Sequence, residues 1–347
     1  MKKYALILLV VFFSCNKTKP TVSPTFDGIV SLNTNLSSSE PLTNYTIEYQ
    51  AVYAMGAKGA QTAAPWGSLN PTGSTFDFSP ISNPYFGLST LKTIGFESIF
   101  LNIPIVAINN RSMPTDIVNL AFDNPTVKSR FHALIDAIKD QLNDNVKYIA
   151  LGNEVDTYFA SHPTEWTAYI NLVEDARAYL QTFKPNIQVG VTTTFAAASS
   201  SAAGQVSLLN TNMDVVALTY YPTSSNFTVN DPAAVKEDIA KMIALAKGKP
   251  LVIQEWGYPS STTLGSSEQK QADFLTNSFA QLKTRGPTNF PFVSFFKYRD
   301  WNAAYVQAIT GQSAGQNFYE FMSSLGLKKN DGSEKAGYQV LATELKK

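Results

Sequence analysis

The stretch 148-YIALGNEVD-156 places polar side chains directly behind a short apolar run. The run from Tyr148 to Leu151 predicts a buried strand, because consecutive apolar residues are typical of a strand covered on both faces. Gly152, Asn153 and Glu154 contribute nothing to an apolar core. We therefore expect this strand to end by presenting an amide and a carboxylate at a rim of the fold.

A second stretch of the same construction, 250-PLVIQEWGYPSS-261, lies further along the chain. Its apolar run from Leu251 to Ile253 ends in Gln254, Glu255 and Trp256. The sequence thus contains two apolar strands that each end at a glutamate, one beside an amide and one beside an indole.

Short apolar segments alternate with helical patterns from residue 26 onward. We predict strands at 26–32, 60–65, 98–103, 148–151, 188–192, 214–219, 251–253 and 292–296. We predict helices near 45–58, 84–94, 125–142, 164–183, 195–210, 232–247, 267–285 and 336–346. Strands that are rich in Val and Ile and apolar on both faces indicate a parallel sheet covered by helices.

Eight strand–helix units predict a single-domain α/β fold, the (β/α)₈ TIM barrel, over residues 26–347. The alternative is a doubly wound open sheet, which would need a glycine-rich phosphate loop after an early strand. The sequence has no such loop.

Composition excludes several classes of function. The 347 residues contain 27 Lys and Arg against 27 Asp and Glu, so the chain lacks the basic excess of a nucleic-acid-binding protein. Two histidines and one cysteine argue against a transition-metal site, and we expect no cofactor. A Ser-His-Asp hydrolase is disfavoured too, because no Gly-x-Ser-x-Gly motif occurs.

The N-terminus has the features of an export signal. Lys2 and Lys3 precede an apolar run from Tyr4 to Phe13, which is too short to cross a bilayer. The segment Phe12-Phe13-Ser14-Cys15 resembles a bacterial lipobox, which implies a signal peptide over 1–14 and lipidation of Cys15. Residues 15–25 would then tether the protein to the membrane of a bacterial cell envelope. An ordinary signal peptide with an incidental cysteine is the alternative.

The two glutamates could take part in one reaction if the fold brings their carboxyl groups together. Functional residues of (β/α)₈ barrels lie at the C-terminal ends of strands. Glu154 follows strand four and Glu255 ends strand seven, so their carboxyl groups can converge across the barrel mouth. Glycoside hydrolysis needs two such groups, one protonated and one ionised. Different surroundings can give two glutamates these two protonation states.

This arrangement strongly resembles glycoside hydrolase clan A, the retaining β-glycosidases on (β/α)₈ barrels. The clan carries Asn-Glu after strand four and a nucleophilic Glu after strand seven, which Asn153-Glu154 and Glu255 match. QEWGYPSS resembles the strand-seven segment of β-glucanases. Three other segments resemble segments of clan members: PWGSLNPTGSTFDFS (65–79), DVVALTYYP (214–222, similar to the galactanase branch) and SLGLKKNDGSEKAGYQVL (324–341). The resemblance covers nearly all of residues 26–345.

The resemblance implies a retaining hydrolase of a β-linked polysaccharide or oligosaccharide, of the β-glucan, β-mannan or β-galactan class. Glu154 would be the acid/base and Glu255 the nucleophile of a double displacement. Asn153 would bind the sugar 2-hydroxyl, and Tyr221 or Tyr220 would donate a hydrogen bond to the nucleophile. Candidate stacking platforms for the sugar are Trp66, Trp256 and Trp301.

Two departures from the clan leave the sugar open: no arginine lies in residues 59–75, and Lys297 stands where relatives often have an acidic or aromatic residue. The alternative function is a non-catalytic glycan-binding lipoprotein of an uptake system, built on the same barrel. Such a binder would be expected to have lost Glu154 or Glu255, and both are present. A transglycosylase would use the same two residues.

Overall fold

Parallel strands form a nearly closed barrel in the computed structural model of this chain, which describes residues 25–37, 39–311 and 315–347. Cys15 and the predicted signal segment 1–14 lie outside the described residues. The strands are β1 Ile29–Leu32, β2 Gly59–Ala63, β3 Ser98–Ala107, β4 Val146–Asn153, β5 Gln188–Gly190 with Thr192–Thr194, β6 Val216–Tyr220, β7 Leu251–Trp256 and β8 Phe292–Phe295. A two-residue strand, Asn110–Arg111, folds back antiparallel onto β3.

The order of the strands shows how the barrel closes. The first half of β5 pairs with β4, and the second half pairs with β6. Only Val191 separates the two halves. The pairing order therefore begins and ends with two parts of one interrupted strand, and this closes the barrel. β1 pairs in parallel with β8 from Ile29–Phe292 to Leu32–Phe295. The predicted (β/α)₈ barrel is therefore confirmed, and the open-sheet alternative is wrong.

Helices of different lengths connect the strands. They are α1 Thr43–Met55, α2 Trp66–Leu69, α3 Ser79–Ser82, α4 Leu88–Ile94, α5 Pro125–Ile138, α6 Val155–Ser161, α7 Trp166–Phe183, α8 Phe195–Ala198, α9 Ala203–Leu209, α10 Val235–Ala246, α11 Glu268–Asn289, α12 Ala303–Thr310, α13 Gln316–Ser323 and α14 Ala336–Glu344. Single 3₁₀ turns occur at Pro163–Glu165, Pro232–Ala234 and Thr262–Leu264. Within the described part of the chain, no helix has both the length and the apolarity to cross a membrane.

Three apolar clusters lie in the described part of the molecule. The largest lies between the strands and the helices, a smaller layer contains Phe100, Tyr148, Val252 and Phe292, and a third cluster includes Phe321 of α13. Because side chains of a strand alternate between faces, the smaller layer lies inside the barrel. Residues two positions further along these strands continue on the same inner face, toward the C-terminal rim. On β3 and β7 these residues are polar, Asn102 and Gln254, and they belong to the floor of the site described next.

Candidate active site

Glu154 lies at the point where β4 passes into α6. Its backbone is left-handed, with φ 48° and ψ 45°, a conformation that few residues other than glycine adopt. The Thr219 hydroxyl of β6 donates a 2.6 Å hydrogen bond to its carboxylate Oε1. Asp156, in the first turn of α6, accepts hydrogen bonds of 2.8 Å from both the backbone N–H and the hydroxyl of Thr194 at the end of β5. The turn that carries Glu154 is thereby attached to the next strand of the barrel.

Glu255 lies at a β-bulge in β7. Leu218 pairs with Ile253 and Thr219 pairs with Glu255, so Gln254 has no partner of its own on β6. A bulge places two residues opposite one and redirects their side chains. The Tyr221 hydroxyl donates a 2.6 Å hydrogen bond to Oε2 of Glu255.

The structure brings the two glutamates into one group. Thr219 binds the carboxylate of Glu154 and is also the pairing partner of Glu255. Burial raises the pKa of Glu154 to about 8, and the negative charge of Glu255 adds to the increase. Burial also raises the pKa of Glu255, but hydrogen bonds from the side chains of Tyr221 and Gln254 oppose the increase. Glu154 therefore holds its proton at neutral pH, while the two hydrogen bonds to Glu255 stabilise its ionised form.

Asn153 belongs to a polar network across the same floor. Its Oδ1 accepts hydrogen bonds from Gln254 Nε2 at 2.5 Å and from Asn102 Nδ2 at 3.4 Å. The Thr192 hydroxyl donates to Gln254 Oε1 at 2.5 Å. The site residues predicted from the sequence do not include Thr219, Thr192 and Asn102, and Gln254 appears among the predictions only as a neighbour of Glu255. A signal was available for two of them, because Asn102 and Gln254 each follow a core residue, Phe100 and Val252, by two positions.

Three predicted contact residues lie away from this group, and those predictions are wrong. The Tyr220 hydroxyl donates a 2.8 Å hydrogen bond to Asp238 of α10, on the outer side of the barrel. The Trp256 indole N–H donates to Ser278 of α11 at 3.0 Å. Trp66 packs its ring edge against helix α5. Both indoles are fully buried among core side chains, so neither has a free face for a sugar.

Trp301 and Lys297 together hold the loop that follows β1. The indole N–H of Trp301 and the ammonium of Lys297 both donate to the carbonyl oxygen of Asn35, at 2.7 and 2.6 Å. The ammonium lies 3.5 Å from the centroid of the Trp301 ring, so it covers one face of the indole. Burial lowers the pKa of Lys297 well below its usual value. The structure thus gives Trp301 a role in supporting the loop, and its role as a sugar platform stays a prediction.

Fold and site together define a class of protein. A (β/α)₈ barrel with half-buried glutamates at the ends of β4 and β7 carries the pair of carboxyl groups that glycoside hydrolysis uses. The family model for glycosyl hydrolase family 53 matches residues 126–290, from α5 to the end of α11, which include both glutamates. No curated protein sequence matches the chain. In the part of the chain that the structure describes, no cluster of His, Cys, Asp and Glu is placed to hold a metal ion.

Solved structures with the same fold include several glycoside hydrolases. The exo-β-1,4-mannosidase Op5Man5 from Opitutaceae bacterium strain TAV5 has a TM-score of 0.72 at 14% identity, over 92% of this chain and 59% of that one. GH5_18 from Bifidobacterium longum subsp. infantis has a TM-score of 0.69 at 12% identity, over 92% of this chain and 78% of that one. A glutamate-to-alanine variant of GH5_18 from Streptomyces cattleya, in complex with Manβ1-4GlcNAc, has a TM-score of 0.67 at 16% identity, over 92% of this chain and 80% of that one.

Similarity to solved structures at these low identities establishes the fold. This chain spans 59% of the length of the Opitutaceae mannosidase. The family match covers the segment that contains both glutamates, and it supports an O-glycosyl hydrolase.

Proposed function

We propose that this protein is a retaining β-glycoside hydrolase in which Glu154 is the acid/base and Glu255 the nucleophile. The observation that carries the proposal is the difference between the surroundings of the two half-buried glutamates. Glu154 has a pKa of about 8, and Glu255 receives a hydrogen bond from the Tyr221 hydroxyl. One group is thus suited to donate a proton and the other to attack as a carboxylate.

The reaction proceeds in two displacements. In the first, a carboxylate oxygen of Glu255 forms a bond to the anomeric carbon, while the bond to the leaving oxygen breaks and takes the proton of Glu154. This gives a glycosyl ester on Glu255 and an ionised Glu154. In the second, Glu154 removes a proton from water, the resulting oxygen attacks the anomeric carbon, and Glu255 is released as a carboxylate.

We propose a β-linked oligosaccharide or polysaccharide as the substrate, with β-mannosides as the first class to test. The support comes from the neighbours, which include a β-1,4-mannosidase and enzymes in complex with Manβ1-4GlcNAc. β-Galactans and β-glucans belong in the same screen, because the strand-six and strand-seven segments resemble enzymes of those classes.

The test is a hydrolysis screen of the purified protein on β-mannan, β-1,3- and β-1,4-glucan, β-galactan, xylan and aryl β-glycosides. We expect the wild type to release sugar from at least one, and Glu255→Ala and Glu154→Gln to lose activity on polymers by about 10³-fold or more. Glu237→Gln, an exposed glutamate on α10, is the matched control and should retain full activity. Absence of release from every substrate, with glycan binding unchanged in Glu255→Ala, would identify a binding protein instead.

We also propose that the protein is exported and lipidated at Cys15, so that it is anchored in a bacterial envelope. The support is the sequence alone: a charged start, a short apolar run and a cysteine directly after it. Metabolic labelling with a palmitate analogue in a bacterial host should label the wild type and not Cys15→Ser. Equal labelling of both, or of neither, would contradict the proposal.

A further inference from the structure

A chain of hydrogen bonds crosses the barrel mouth from β5 through β7 to β4. The Thr192 hydroxyl donates to Gln254 Oε1, and Gln254 Nε2 donates to Asn153 Oδ1, both at 2.5 Å. Thr192 and Gln254 are 0% and 2% exposed, so water does not compete for these bonds. Hydrogen bonds that are shielded from water in this way hold the side chains that make them in one arrangement.

The network determines which end of the Asn153 amide is free. A primary amide has an oxygen that accepts and a nitrogen that donates two hydrogen bonds. The oxygen of Asn153 is occupied by Gln254 and Asn102. Its nitrogen makes no hydrogen bond to any residue that the structure describes, and Asn153 is only partly buried. Asn153 therefore presents a hydrogen-bond donor beside Glu154.

Gln254 reaches this amide because it follows Val252, a residue of the inner layer, by two positions on the same face of β7. The bulge leaves Gln254 unpaired with β6 and brings the next residue, Glu255, to the same mouth of the barrel. The geometry points to Gln254 as a positioning residue: it fixes the Asn153 amide so that Nδ2 donates to the sugar oxygen at C2. This inference rests on the proposed function. A hydrogen bond at C2, next to the reacting carbon, strengthens in the transition state, so Gln254 would act on kcat.

The test combines a protein substitution with a substrate deletion. Gln254→Met keeps the side-chain length and removes both polar groups. On the best aryl β-glycoside of the screen we expect it to lower kcat about tenfold to a hundredfold, with little change in KM. On the 2-deoxy analogue, which lacks the hydroxyl in question, we expect a loss of less than about threefold, because the interaction through Asn153 is already absent.

Ser294→Ala is the matched control, since Ser294 is also fully buried and its hydroxyl lacks a partner among the described residues. It should leave the ratio of the two substrates unchanged. Thr192→Val removes the hydroxyl that donates to Gln254. We expect it to lower kcat on the parent glycoside more than on the 2-deoxy analogue, as Gln254→Met does, but by a smaller factor. This second variant keeps the inference testable if Gln254→Met does not fold.

Equal losses on both substrates would overturn the inference, because they would show that Gln254 acts through its hydrogen bond to Glu255 or through the fold and not through Asn153. No loss on either substrate would overturn it too. A wild type that is inactive on the parent glycoside would instead refute the proposed function, and the inference with it. Activity of the wild type therefore separates the two failures.

Discussion

At the scale of single residues, the two glutamates of the site have different surroundings. Thr219 donates to Glu154 and Tyr221 donates to Glu255, while burial raises the pKa of both carboxyl groups. The sequence identified both glutamates because each follows an apolar strand. It could not identify Thr219, since a threonine at the end of β6 has nothing in its own segment that indicates a partner on β4.

The pH dependence of kcat/KM follows from these surroundings. Activity should fall as pH rises through about 8, because Glu154 then loses the proton that it must donate. The hydrogen bond from Thr219 lowers the pKa of Glu154, so Thr219→Val should move this basic limb to higher pH. A pH–rate profile of both proteins checks the shift. A basic limb that stays in place or moves to lower pH would contradict the assignment of Glu154 as the acid.

At the scale of elements, the bulge in β7 explains why Glu255 lies at the barrel mouth and why Trp256 lies in the outer core instead. Strict alternation after Val252, which faces inward, would turn Gln254 inward, Glu255 outward and Trp256 inward. The bulge brings Glu255 to the mouth and places Trp256 in the outer core. A bulge depends on the pairing of neighbouring strands, so the sequence of β7 alone does not show it.

Helices α12 and α13 were also missed, because two short helices between β8 and α14 give too little periodicity to detect. The structure shows what α13 contributes: Phe321 packs edge-on against the ring of Tyr221, with centroids 5.0 Å apart. Helix α13 therefore supports Tyr221, the residue that donates a hydrogen bond to Glu255.

An ion cluster joins the segment after β8 to α1 and the loop before it. Arg299 bonds Glu48 at 2.8 Å and also pairs with Glu40. Arg299→Met should lower the free energy of unfolding by about 2–4 kcal/mol, since it leaves the nearly buried Glu48 without its partner. Chemical denaturation monitored by circular dichroism measures the change.

The matched control for this substitution is Lys58→Met. It breaks the exposed pair Lys58–Glu97, whose side chains are 45% and 61% exposed, and should cost less than about 1 kcal/mol. Equal effects of the two substitutions would show that the Arg299 cluster contributes no more than a surface ion pair.

At the scale of the whole molecule, the count of strand–helix units was enough to predict the barrel. Apolar runs locate the eight strands, and eight parallel strands in one domain leave closure as the simplest arrangement. The interruption of β5 at Val191 and the pairing of β1 with β8 arise from contacts between distant segments. The sequence therefore predicted which strands exist and which rim carries the glutamates, but it did not predict the polar network between them.

The most direct test of the central claim is to trap the covalent intermediate. The purified protein is incubated with activated 2-deoxy-2-fluoro glycosides of mannose, glucose and galactose, and the labelled peptide is found by mass spectrometry. The account predicts the addition of one fluoroglycosyl group, on Glu255, with one of the sugars. Hydrolysis that inverts the anomeric configuration, or a label on any residue other than Glu255, would contradict it.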